Sequence, residues 1–248
     1  MGSGSLIFFM KHLFTILFYQ PVLNLLVWFY NILPAHDMGV VIIALTILVK
    51  LILWPLSQKS LKSQQAMNRL QPKIKEIQDK YKDNKEKQGQ ALMDLYRQEK
   101  INPASSCLPL LIQLPLLWAV FMVFRDGLSN QSLALVYSFI NRPELLKTTF
   151  FGIIDLAKPN KILAVVTGLT QFLQTKISAH YTMPAKSNKS QTENLAVMMN
   201  KQMMFMMPLI TVVICWTLPS GLAMYWLLSS IFSIFQQLYW FKKSSKLN

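Results

Sequence analysis

Acidic side chains are scarce in this chain and are missing where a transport protein would need them. Of 248 residues only 11 are Asp or Glu, against 25 Lys and Arg, and none of the 11 falls inside a long apolar block. A proton or cation relay through a membrane wants an acidic partner at depth, so ion-coupled transport loses ground. Cysteine is nearly absent too: Cys107 and Cys215 lie far apart in apolar surroundings, which suggests neither a disulfide framework nor a zinc site. The three histidines, His12, His36 and His180, are scattered, so no metal is expected. Ser105-Ser106-Cys107 and Ser229-Ser230 have no histidine at a spacing that would activate a nucleophile. No phosphate-binding loop is present. The chain is expected to be no enzyme, to hold no cofactor and to use no ATP.

What the sequence does have is length in oil. Apolar residues make up 52% and charged residues only 15%, and the charges are gathered into short blocks. Five segments, 38–56, 106–124, 161–178, 203–219 and 221–240, meet the rule of about 20 predominantly apolar residues for a membrane helix. The third is the least apolar, with Thr167, Thr170, Gln171 and Gln174. The last two are joined by LPSG, a turn signal that suits a tight helical hairpin. Residues 57–102 hold eleven Lys and Arg, 179–202 hold three and the stretch after Tyr239 three more. The loop 125–160 holds fewer per residue. The positive-inside rule then puts 57–102, 179–202 and 241–248 in the cytoplasm and 125–160 outside a bacterial plasma membrane.

Residues 1–37 read less simply. Lys11, His12, Gln20, Pro21 and Asn24 interrupt an apolar run. Over 20–33 the polar residues Gln20, Asn24, Trp28 and Asn31 share one helical face, which predicts an amphipathic helix in the outer interface. A sixth span with Lys11 inside is the alternative; a cleaved signal would want a small-residue cleavage site, and none stands out.

Between the first two spans, Leu70, Ile74, Ile77 and Tyr81 recur at helical spacing over 60–81, and Leu92, Leu95 and Tyr96 over 89–99. DNKEKQG separates them, so an antiparallel helical hairpin is expected. Its basic surface, Lys62, Arg69, Lys73, Lys75, Lys80, Lys82, Lys85 and Lys87, could attract anionic lipid headgroups, ribosomal RNA or a nascent chain by charge alone. Nothing suggests DNA binding. A solvated linker is the plainer reading, though far fewer residues would serve to join two spans.

Lys50 is the sharpest feature. Its α-carbon falls about 9 Å before the cytoplasmic end of the first span, where exposure to lipid would cost up to about 3 kcal/mol. It either snorkels to the headgroups or lines a wet cavity. Gln113, Thr170, Gln171, Gln174, Ser229, Ser233 and Gln236, with Tyr225 and Trp226, supply polar material in the other spans. Each alone reads as interhelical glue. Together with Lys50 they suggest a recess open to the cytoplasm. The run MMNKQMMFMM, 198–207, fits either irregular packing or a surface adaptable to varied apolar partners.

YQPVLNLLVWFYN, LTILVKLILWPL, LQPKIKEIQDKY, INPASSCLPLLIQLPLLWAVF, IIDLAKPN, GLTQFLQTKIS, KQMMFMMPLI and LPSGLAMYWLLSSIFSIFQQ follow one another over roughly 20–241. In this order they closely resemble the YidC family of membrane protein insertases. The resemblance implies an all-α polytopic protein: a five-helix core around a hydrophilic groove, with a cytoplasmic hairpin and an N-terminal interfacial helix. It implies insertion and folding of nascent membrane proteins, alone or beside the Sec translocon, with ribosome contact. The groove's positive residue, usually arginine, is Lys50 here, which keeps the charge but loses the planar fork. Ser105 and Ser106 stand where the family has paired glycines. FKKSSKLN, 241–248, is short beside the basic tail some members use on the ribosome, so contact is expected to lean on the hairpin and the 179–202 loop. The large outside domain of many Gram-negative members is not expected. A small-solute transporter or channel is the alternative reading.

Overall fold

The structure is a computed structural model that describes residues 3–33, 36–102, 105, 108–126, 130–143, 146–182 and 191–245. Pro103, Ser106, Cys107, residues 183–190 and residues 246–248 lie outside it. The described chain is mostly helical: α1 (Ser3–Phe14), a π turn (Thr15–Tyr19), α2 (Gln20–Ile32), α3 (Met38–Ile52), α4 (Trp54–Arg69), α5 (Gln71–Lys80), α6 (Lys85–Gln98), α7 (Leu108–Arg125), α8 (Asn130–Leu133), α9 (Lys161–Thr182), α10 (Gln191–Thr217) and α11 (Ser220–Ser245). Two short antiparallel strands, β1 (Thr149–Phe150) and β2 (Ile154–Asp155), pair between α8 and α9.

α1, the π turn and α2 form one unbroken helical path. Pro21 does not break it, because it stands at the start of α2 just after the π turn, where its missing amide is tolerated. Phe8–Ile32 is the one described helix that by itself is long and apolar enough to cross a membrane. The polar residues of α2 face protein. Asn24 Nδ2 donates to Leu135 O and Asn24 Oδ1 accepts from Tyr137 N at 2.7 Å; Gln20 and Asn31 donate to the carbonyls of Leu135 and Asn141. The expected amphipathic pattern is thus real, but its polar stripe holds a loop.

The apolar block 38–56 does not form one straight helix. α3 ends at Ile52, and α4 departs at 59°. Pro55, in the first turn of α4, has no amide to bond back into α3, so the ladder stops there. With α4 included, Met38–Arg69 would count as a second, bent span by length and composition, and Leu111–Arg125 and Met204–Thr217 are shorter apolar helices. Asp37 caps α3: its Oδ1 accepts from the amides of Gly39 and Val40, and its Oδ2 accepts from Phe151 N at 2.6 Å. Gly39 is required here, since a Cβ would fall 1.9 Å from the Phe150 ring.

The hairpin differs from expectation in its boundaries. Its first arm is broken at Leu70, where Pro72 opens α5, and its second begins at Lys85 behind an Asn84 cap. The apolar stripes pair as the spacing predicts: Leu70, Ile74 and Leu95 are buried together, with Ile77, Leu92, Tyr96 and Ile101 around them. Burial raises the Tyr96 phenol above its ordinary range. Lys73 and Glu99 pair across the two arms.

α11 is the central helix and packs on α9, α3 and α7, while α9 also packs closely on α10. Gly168 permits that last approach: a Cβ there would lie 2.2 Å from Val212 Cγ2. The main apolar cluster gathers at one end of this bundle. It joins Val22, Leu26 and Tyr30 of α2, Met38, Val41, Ile42, Leu45 and Val49 of α3, Ala119, Val120, Val123 and Phe124 of α7, Leu156, and Leu222, Met224 and Tyr225 of α11. The loop before α9 is tied down at the same end. Ser220 N and Gly221 N donate to the carbonyls of Lys158 and Leu156, and Ser220 Oγ donates to Asp155 O. Burial pushes the Asp155 carboxyl up, but hydrogen bonds from Lys158, the Ala157 amide and Thr148 outweigh it and hold it below its usual range.

Candidate substrate groove

Period and chemistry set up a polar stripe on α11. Tyr225, Ser229, Ser233, Gln236 with Gln237, and Trp240 recur every three or four residues, which places them on one face over roughly 22 Å. The buried residues that α11 gives to the apolar cluster end at Tyr225, with Leu228 partly buried against it one turn on. Beyond it, toward Ser245, the stripe meets polar groups from other helices.

Two contacts bring predicted groove residues together. Gln113 Nε2 of α7 donates to the Tyr225 hydroxyl at 3.2 Å, and Tyr225 itself is buried. About 12 Å further along α11, Lys50 Nζ donates to Ser233 Oγ at 3.2 Å, and Ser233 in turn donates to Ser229 O. Among the described residues Lys50 has no carboxylate partner. A half-buried ammonium held by one neutral hydroxyl keeps donor capacity to spare.

The third helix contributes differently from residue to residue. Thr167 joins α9 to α11 by donating to Ala223 O at 3.1 Å. Thr170 returns its hydroxyl to Val166 O of its own helix and makes no link to the stripe. Gln171 has a buried Oε1 with no partner among the described residues, as do Gln236 Nε2, Gln237 Oε1 and Trp240 Nε1 on α11. Gln174 is half-buried on the same side of α9 as Gln171 and Thr170. Trp226 departs from expectation. It packs on Ala164, Cys215 and Ala223 between α9, α10 and α11, away from Lys50, because it follows Tyr225 by one residue and so points about 100° around the helix.

Unpaired buried polar atoms are costly, on the order of 1–3 kcal/mol each, unless water or a ligand reaches them. Their gathering at one end of α9 and α11 marks a place suited to water, whereas the other end is filled with hydrocarbon. Sequence reasoning missed Trp54, Gln58 and Trp240, which line a cavity of about 350 Å³ with Tyr239 between α4 and α11. The spacing of Trp54 and Gln58, four residues apart on either side of Pro55, was the available signal. The basic residues of the hairpin, Lys62, Arg69, Lys73, Lys75, Lys80, Lys82, Lys85 and Lys87, lie on α4, α5, α6 and the turn between the latter two.

The pattern of the 60Kd inner membrane protein family matches residues 28–246. The chain is 36% identical over 223 residues to the membrane protein insertase YidC of Syntrophobacter fumaroxidans, covering 89% of this chain and 37% of that one. It thus spans little more than a third of that relative's length. With the YidC of Fusobacterium nucleatum it shares 34% identity over 84% of this chain and 88% of the relative. With YidC 2 of Listeria innocua it shares 38%, over 88% and 68%. Among solved structures, an active YidC insertase crystal structure with its first transmembrane domain resolved superposes with a TM-score of 0.52 at 29% identity, over 88% of this chain and 45% of that one. With the bundle, the polar stripe and these likenesses taken together, the chain belongs to the YidC family of membrane protein insertases, inner membrane proteins that do no bond chemistry.

Proposed function

We propose that this chain inserts and helps fold nascent membrane proteins by offering their polar parts a hydrated recess in the cytoplasmic half of the bilayer. The observation that carries the reading is the asymmetry of the bundle. Hydrocarbon side chains close the end beside Met38, Arg125 and Ser220, and unpaired amides with Lys50 occupy the other.

In this reading α3, α7, α9, α10 and α11 cross a bacterial plasma membrane, with the hairpin α5–α6 and the C-terminus in the cytoplasm. α2 lies against the tied-down loop at the outer end, and its continuity with α1 over Phe8–Ile32 supports a sixth span there rather than a helix confined to the interface. A client's short polar or acidic tail meets the basic hairpin, moves to Lys50 and crosses a thinned apolar barrier. That shortens a desolvation penalty otherwise worth several kcal/mol. Its apolar part leaves along α9 and α11 into lipid, driven by about 0.8 kcal/mol per buried CH₂. With the outside positive, the membrane potential favours outward movement of acid by about 2.3 kcal/mol per charge per 100 mV. Ribosome, Sec translocon and anionic lipid are the partners this site would serve.

The test uses the full chain in liposomes and an acidic-tailed substrate followed by protease protection. Lys50→Arg is expected to keep insertion within about twofold, and Lys50→Glu to lower it by roughly tenfold, since a carboxylate near the path repels the tail. Equal insertion by the Arg, Ala and Glu variants at equal abundance would remove Lys50 from the mechanism.

A further inference from the structure

The hairpin of β1 and β2 has no part in the insertion path. Phe150 and Ile154, opposite one another in its register, pack against the main apolar cluster, while Phe151 and Ile153 are 67% and 85% exposed. The turn that carries them is tight. Ile153 N donates to Phe150 O at 3.0 Å, and two successive residues have positive φ, 47° at Phe151 and 70° at Gly152. Asn-Gly or Gly-Gly suits such a turn. A phenylalanine in its first place is strained, because a Cβ crowds the backbone in the left-handed region. The Phe151 ring touches that of Phe150, with centroids 4.5 Å apart, and still leaves most of its surface bare. Packing among the described residues therefore gives no reason for an aromatic at this place.

The seat of the hairpin supplies one. A Cβ on Gly39 would run into the Phe150 ring, and Asp37 Oδ2 accepts from Phe151 N, so the turn rests on the first turn of α3. There the apolar block of α3 begins, which is the edge of the hydrocarbon when α3 spans the bilayer; this placement rests on the proposed function. The base of the hairpin, where Leu156 N donates to Thr148 O at 2.8 Å, is flanked by exposed Lys147 and Lys158, the latter also paired with Asp155 at 3.1 Å. An apolar tip on a basic base matches the order in which a lipid presents acyl chain and phosphate.

We infer that the Phe151–Ile153 turn dips into the outer leaflet, with the Phe151 and Ile153 side chains among the acyl chains just below the headgroups and Lys147 and Lys158 against phosphate. The partner of this surface is a phospholipid bilayer with anionic headgroups. A second copy of the chain is the competing occupant, and the test separates the two.

Nitroxide labels on the full-length chain provide that test, with Cys107 and Cys215 replaced by serine and the protein reconstituted alone in vesicles of dioleoyl phosphatidylcholine and dioleoyl phosphatidylglycerol in equal parts. Ile153→Cys carries the probe, Leu169→Cys on the exposed face of α9 the lipid reference and Asn141→Cys the aqueous reference. Spin relaxation is compared for oxygen, which concentrates in hydrocarbon, and for a water-soluble nickel chelate. The Ile153 label is expected to respond several-fold more to oxygen than to nickel, as the Leu169 label does. Phe151→Asn suits the positive φ and keeps the turn, and should raise nickel access at Ile153 several-fold without changing Leu169. A phenylalanine with a purely structural role would not move that ratio. Nickel access at Ile153 equal to that at Asn141, with Leu169 in lipid, would overturn the inference and leave the membrane placement standing; all three labels in water would remove both. An Ile153 label unmoved by Phe151→Asn would also overturn it. So would coupling between Ile153 labels that persists on dilution with lipid, which would put a second copy in place of the bilayer.

Discussion

At the scale of single residues, the informative comparison is between groups that found partners and groups that did not. Gln113 and Tyr225 were both legible as polar residues within apolar helices, yet nothing in either helix says that they meet. That depends on how α7 and α11 are rotated against one another, which is fixed by packing far from both. Their bond makes a measurable prediction. Tyr225→Phe and Gln113→Leu should each cost about 1 kcal/mol in unfolding free energy, and the double variant less than the sum, because each single change leaves the other group unpaired. Strict additivity in denaturant titrations would mean that the bond contributes nothing. Trp226 shows the opposite case. It was grouped with Tyr225 because they are adjacent, but adjacency on a helix separates two side chains by over a quarter of a turn.

At the scale of elements, the sequence reading found the helices and misplaced their ends. The span expected over 38–56 stops at Ile52 because of Pro55, which stood in plain view. The two-residue strands carry no periodic signal at all, and they exist because Asp37, Gly39 and α11 hold the loop in place. Close helix contact is likewise set by one position. Gly168→Ala is expected to push α9 from α10 and lower the melting temperature by several degrees; adding Val212→Ala should restore part of the loss, since Val212 is the atom met first. In the hairpin, Leu95→Ala should cost about 2–3 kcal/mol of local stability. Hydrogen exchange would then accelerate in 71–98 and leave α9 and α11 unchanged. Acceleration throughout the chain would show that the hairpin and bundle fold as one unit.

For the whole molecule, charge and hydropathy supply the orientation that the proposed function uses. In that orientation the end of the bundle rich in Lys and Arg lies in the cytoplasm, and the unpaired amides lie toward the same end. Orientation is open to direct measurement. In a chain with Cys107 and Cys215 replaced by serine, a cysteine at Asn141 should react with an impermeant maleimide in intact cells. One at Gln90 should react only after permeabilisation. The reverse pattern would invert the proposed insertion path. What composition could not foresee was the aromatic cavity, because its two walls come from opposite ends of the chain and meet only after folding.

The elbow at Leu53 has a mechanical consequence. Lys50 lies about 4.5 Å from that joint, whereas the far end of α4 lies about 24 Å away. A 10° swing about the joint would carry the arm's tip some 4 Å and the ammonium less than 1 Å. In the proposed mechanism, docking at the hairpin can therefore be broad and compliant while the Lys50 charge offered to a client stays almost stationary.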